Sequence, residues 1–188
     1  MLVTNLKLQI LLPLLGLEPV VAEIGVAEGN FSKTILDVCH PRRLHLIDPW
    51  LWQTGDYRFD STNGASQAEH EVRYEGVLGR FLPEIAKGSV FVHRQFSQDA
   101  VTNFQDGLFD WIFIDGDHTY NGCMTDLVSF SPKVKTGGFM TGDDFSSLRG
   151  ACEMKIDVIR AVLDFVKQGE WELLALCSDW RYILARRD

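Results

Sequence analysis

The sequence predicts an α/β protein built on a doubly wound, mostly parallel sheet with an antiparallel C-terminal strand. Two observations carry this: short apolar runs rich in β-branched and aromatic residues alternate with helix-spaced stretches, and the last two strand-like runs have almost no chain between them. With 188 residues, 46% of them hydrophobic and 23% charged, the chain has the balance of a single globular domain. No repeat, low-complexity tract or linker divides it.

Residues 1–19 contain the run ILLPLLGL at 10–17, too short to span a bilayer and followed by EPVVAEIG rather than a small-residue cleavage site. It reads as a short packing helix broken near Pro13 and Gly16, which makes 1–19 an N-terminal helical segment. Strands are expected at 20–24, 43–47, 90–93, 111–114 (reaching back to Phe109) and 138–141, and helices at 31–39, 65–85, 121–130 and 152–167. Strands joined by helical crossovers lie parallel and are covered on both faces, which suits such apolar runs. In the last helix Met154, Val158, Ile159, Val162, Leu163 and Val166 make one apolar stripe. The runs at 171–177 and 180–185 are separated only by Ser178 and Asp179, too little chain for a crossover, so they form an antiparallel hairpin. Residues 52–65, polar and glycine-containing, are a candidate lid loop.

The net charge of −8 opposes binding to a phosphate backbone, so neither a nucleic-acid partner nor a membrane is expected. Cys39, Cys123, Cys152 and Cys177 form no CxxC pair and read as reduced, mostly buried thiols of a cytoplasmic protein.

In sheets of this kind ligands lie outside the carboxyl ends of the strands, near the point where strand order reverses. The first strand ends in EIGVAEGNFS, 23–32, a glycine-containing turn entering a helix. Gly25 would let a ligand approach the backbone and the helix start would offer N–H groups to an anionic part, unless the glycines only make a tight turn. The second strand ends in Asp48-Pro49-Trp50; a carboxylate about 20 residues beyond a glycine turn binds ribose hydroxyls, or else caps a loop. The fourth strand ends in Asp115-Gly116-Asp117-His118 and the fifth in Gly142-Asp143-Asp144. Asp115, Asp143 and Asp144 can converge there, and their mutual repulsion is relieved by a divalent cation, for which all-oxygen ligands favour Mg²⁺, Ca²⁺ or Mn²⁺; alternatively Asp143 or Asp144 caps the next loop. His118, three residues after Asp115, is then a candidate general base, since an unperturbed pKa of about 6.5 suits proton removal at neutral pH. His40, His45, His70 and His93 have no such setting.

EIGVAEGNFS, LIDPW, DWIFIDGDHTY and GGFMTGDDF, in that order, resemble class I S-adenosylmethionine-dependent methyltransferases. The closer likeness is to small cation-dependent O-methyltransferases of the macrocin-type sugar enzymes, with catechol-type enzymes more distant, over residues from about 20 to 185. The resemblance implies a Rossmann-like, seven-stranded sheet in the order 3-2-1-4-5-7-6. It also implies S-adenosyl-L-methionine and a divalent cation, Mg²⁺ foremost, as cofactors, with a small hydroxyl-bearing acceptor such as a sugar or phenol. Glu23, Gly25 and Gly29 would belong to the methionine loop, Asp48 to the ribose clamp, and Trp50 would lie beside the adenosine. Gln95, Phe96 and Ser97 fall at the adenine position, Asp115, Asp143 and Asp144 at the metal, Asp115 also at the cofactor, and His118 at the base. Larger members carry a longer N-terminal extension over the acceptor, so here either the site is open or a second subunit of a homodimer closes it. Trp50, Trp52, Tyr57 and Phe59 either stack on a ring-bearing acceptor or anchor the loop. A nicotinamide-dependent oxidoreductase fits less well, because Gly25-Val26-Ala27-Glu28-Gly29 lacks the GxGxxG spacing. A non-catalytic binding or scaffold domain on the same fold is the remaining alternative.

Overall fold

The computed structural model describes residues 2–3, 7–8, 18–53, 66–145 and 157–187. Eight strands form one sheet: β1 (Leu2–Val3), β2 (Val20–Ile24), β3 (Arg43–Ile47), β4 (Val90–His93), β5 (Phe109–Ile114), β6 (Val134–Gly142), β7 (Trp171–Leu176) and β8 (Tyr182–Arg186). The order across the sheet is β1-β7-β8-β6-β5-β2-β3-β4. Counted from β2 as the first strand, this is the expected 3-2-1-4-5-7-6, and β8 runs antiparallel to both β6 and β7. One strand was not expected. Leu2 and Val3 pair in parallel with Ala175 and Leu176, so the first 19 residues are not wholly helical.

Among the described residues six α-helices lie between the strands: α1 (Asn30–Cys39), α2 (Gln67–Arg80), α3 (Leu82–Ala86), α4 (Ser97–Ala100), α5 (Tyr120–Phe130) and α6 (Val158–Val166). Alternation along each strand divides two cores. Ala22, Ile112 and Met140 face α5 and α6, whereas Val21, Trp111 and Phe113 share the opposite core with Ile35, Val77 and Phe81. Burial on both faces is why β2 is an unbroken apolar run apart from Glu23.

The helix expected at 65–85 is two helices, α2 and α3, divided at Phe81, because Pro83 cannot donate to the previous turn. In α6 the inward residues are Val158, Ala161, Val162 and Phe165, while Leu163 is 41% exposed, so the stripe is rotated from the expected one. Phe165 packs on Trp171, with ring centroids 6.2 Å apart, and Ala161 takes the buried position beside it. Helix α4 has four residues, too few to show a period in sequence. His45 and His93 lie 3.0 Å apart between Phe104 and Phe109, a packing arrangement within the core. Cys39, Cys123 and Cys177 are buried and free. The 10–17 run, Cys152, Met154 and all but the first two residues of the 52–65 loop lie outside the described residues. Among the described residues no helix is long and apolar enough to cross a membrane.

Candidate functional site

At the reversal of strand order, β2 pairs with β3 on one side and β5 on the other, and the chains leaving their carboxyl ends diverge. A cavity of about 610 Å³ opens there, lined by the β2–α1 turn, the β3 end, the start of α4 and the β5–α5 segment. Gly25, at φ +82, is required by the protein's own backbone: a Cβ there would stand 2.0 Å from the carbonyl oxygen of Asp115. Its N–H donates to Ile47 and the Asp115 N–H donates to Ile24, tying the three strand ends together. Gly29 begins α1 outside the cavity, against Phe81.

Asp48 holds the glycine turn. One of its oxygens accepts the N–H groups of Val26 and Ala27 at 2.9 and 3.0 Å, and the other accepts Trp50 N–H at 2.7 Å. With two acceptor sites on each carboxylate oxygen, the one facing Trp50 retains capacity for a ligand hydroxyl. Trp50 lines the cavity but is fully buried, its indole donating to the Ala27 carbonyl and its ring packed on Tyr74, so it anchors the loop. Tyr57 and Phe59 lie outside the described residues, and Trp52 is 40% exposed. Gln95 bonds Asn103 away from the cavity, while Phe96 and Ser97 line it.

Glu23 is buried beneath the turn, where Ser32 donates to it. Burial, reinforced by the nearby Asp115 and Asp48 charges, pushes its carboxyl up to about 8. Asp115 is pushed up to about 6, by burial first, with His118 pulling the other way.

His118 joins two carboxylates: Nε2 lies 3.3 Å from Asp115 Oδ1 and Nδ1 lies 3.2 Å from Asp144 Oδ2. These three residues offer ligand atoms within 4.8 Å of one another. Asp143 is not part of this group. Its Oδ2 faces Arg181 at 3.3 Å and its Oδ1 accepts the N–H of Asp144. Asp144 has φ +59, and that turn sends two successive side chains to different partners. Of the expected three aspartates, Asp115 and Asp144 stand with His118 in a group that could hold a cation, while Asp143 is turned to Arg181. The set holds two carboxylates and one imidazole, a chemistry compatible with Mn²⁺ or Mg²⁺ through the oxygens.

Four residues were not anticipated. Arg181 from β7–β8 lies over the Phe31 ring at 4.2 Å and bonds both Asp143 and Asp179. No local pattern marks it, because the hairpin alone carries it to the site. His70 and Arg73 from α2 line the cavity, although His70 had been set aside. Asp126 of α5 lines it too, and here a signal existed: it sits among Cys123, Leu127 and Phe130 on the helix's apolar face.

A family profile described as a methyltransferase domain matches residues 22–145. Among solved structures, cofactor-bound Rv0187 from MTB is 15% identical, with a TM-score of 0.67, covering 96% of this chain and 79% of that one. A Staphylococcus aureus protein described as a caffeoyl-CoA O-methyltransferase is 14% identical, with a TM-score of 0.66 and coverage of 96% and 81%. The N-methyltransferase NodS from Bradyrhizobium japonicum is 13% identical, with a TM-score of 0.61 and coverage of 96% and 93%. These likenesses show the fold. No curated protein matches the chain.

Proposed function

The chain belongs to the methyltransferase-domain family, and from that premise we propose that it moves the methyl group of S-adenosylmethionine to the hydroxyl of a small acceptor, a sugar or phenol, with a divalent cation present. The observation that carries this reading is the charge of the cavity. Glu28, Asp48, Asp115 and Asp117 line it, with the carboxyls of Glu23 and Asp126, pushed up by burial, behind them, against Arg73 as the one permanent cation among the described lining residues. Such a lining favours a sulfonium and ammonium ligand and repels the pyrophosphate of a nicotinamide dinucleotide.

Bound cofactor supplies the methyl group, and a cation held by Asp115 and Asp144 would offset their mutual repulsion and that of an acceptor oxygen. Asp48 steadies the turn and accepts from the ribose. Asp144 faces Nδ1 of the His118 ring and Asp115 faces Nε2, so the base role requires Nε2 to exchange Asp115 for the acceptor's hydroxyl. Asp115 lines the cavity beside Gly25, where a negative charge suits a cation, whereas the buried Glu23 holds its proton at neutral pH. The macrocin-type subclass is supported by the FIDGDHTY and GDD runs, on which the cation and base residues fall.

Calorimetric titration with S-adenosylmethionine and S-adenosylhomocysteine, with and without Mn²⁺ and with NAD as control, tests the reading. Micromolar binding of the first two and none of NAD is expected; binding of NAD alone would overturn it. His118→Ala should lower kcat by about 10²-fold or more while leaving Mn²⁺ affinity in place. Loss of both would make His118 a ligand instead of the base.

A further inference from the structure

We propose that Arg181 sets the cation affinity of the site by competing with the divalent ion for Asp143, a carboxylate that it holds in reserve. This rests on the reading of Asp115, His118 and Asp144 as a cation site.

Asp143 stands beside that group without joining it. Asp144, next in the chain, faces His118, and the Asp143 charge itself reaches Asp115, whose carboxyl it helps to raise. What keeps Asp143 apart is Arg181, whose Nε and Nη2 both lie 3.3 Å from Asp143 Oδ2. Those are long contacts for a guanidinium and a carboxylate, which close to about 2.7–2.9 Å when well paired. Both side chains are only partly buried, so the pair is slack and water reaches it.

Arg181 does not need Asp143 to stay in place. Its Nη1 lies 3.3 Å from Asp179 Oδ2, and its guanidinium stands over the rings of Phe31 and Phe113, at 4.2 and 5.3 Å from their centroids. Asp179 is fixed in turn, since both its oxygens accept the Leu8 N–H from the N-terminal segment. The Asp143 backbone is likewise anchored apart from Arg181, its N–H donating to the Ile114 carbonyl at 3.3 Å. Asp143 can therefore change partner by a turn of its side chain, and neither charge is then left alone, because Arg181 keeps Asp179. Coulomb's law gives the direction: a divalent ion offers Asp143 two positive charges where the guanidinium offers one.

Calorimetric titration of the full chain with Mn²⁺ alone tests this through a double-mutant cycle. Arg181→Met should bind Mn²⁺ at least about tenfold more tightly than the wild type, since it removes a competing charge and releases a carboxylate. In the Asp143→Asn background the same substitution should bring a gain at least about fivefold smaller, because no reserved carboxylate is left to release. A merely structural role for Arg181 would give the opposite sign, a loss of affinity as the hairpin loosens. If Arg181→Met does not fold, Arg181→Lys keeps the charge but gives up the fork that grips Oδ2 at two points, and should raise the affinity about threefold. An unchanged or lower affinity in the folded Arg181 variant, or equal gains in the two backgrounds, overturns the assignment while the cation reading stands. Mn²⁺ binding by neither the wild type nor the folded Arg181 variant overturns both.

Discussion

His118, bonded toward two carboxylates at once, is the residue to which the proposed proton transfer is assigned. Asp144, 2% exposed, lies 3.2 Å from Nδ1, and with Asp115 at Nε2 the imidazole is positioned before any ligand arrives. Asp143 plays a different part. Asp143→Asn should weaken the contact with Arg181 and lower stability by about 1 kcal/mol or more in urea unfolding, while Asp144→Asn should lower Mn²⁺ affinity. Glu23 gives a pH test with a definite sign. Its carboxyl moves from 4.5 to about 8 on folding, so between those values the folded chain holds a proton the unfolded chain has released. Its contribution to stability therefore falls as pH rises through that window. Glu23→Gln removes the effect, and its stability relative to the wild type should rise from pH 5 to pH 8 by an amount on the order of 3 kcal/mol.

Among elements, the β2–α1 turn is the most constrained. Gly25 packs against the Asp115 carbonyl, and Ala27 and Trp50 nearby also have positive φ, at 50° and 42°. Backbone held this way persists only where the surroundings fix it, as Asp48 does here with three amide bonds. Gly25→Ala should cost about 4 kcal/mol or leave the chain unfolded, because both φ and the neighbouring backbone forbid a side chain. Thr119→Ala, which removes the cap that Thr119 supplies to the Gly122 N–H at the start of α5, should cost only about 1 kcal/mol. Denaturant midpoints of the two variants measured together separate backbone strain from simple capping.

Across the whole molecule, the cavity joins segments from β2, β3, α4 and α5, so a ligand filling it bridges both halves of the sheet. S-adenosylhomocysteine at 100 times its Kd should add about 2.7 kcal/mol and raise the melting temperature by roughly 5–10 °C. Asp48→Ala should reduce that shift, since it loosens the turn and would remove the proposed ribose acceptor with it.

The sequence by itself determined every strand but the first, the hairpin and the place of the candidate site. Runs such as Val20–Ile24 and Phe109–Ile114 are largely apolar because both faces of a parallel strand are covered, and that burial is written into local composition. The polar residues that follow such runs lie at or just past strand ends, which marks Asp48, Asp115 and His118 without reference to any other part of the chain. Tertiary structure alone decided which aspartate joins His118, because the φ of Asp144 and the arrival of Arg181 from 38 residues further on are not local properties. The rotation of α6 was decided the same way. A helix stripe broad enough to bury either of two neighbouring sets takes the one that its packing partners accept.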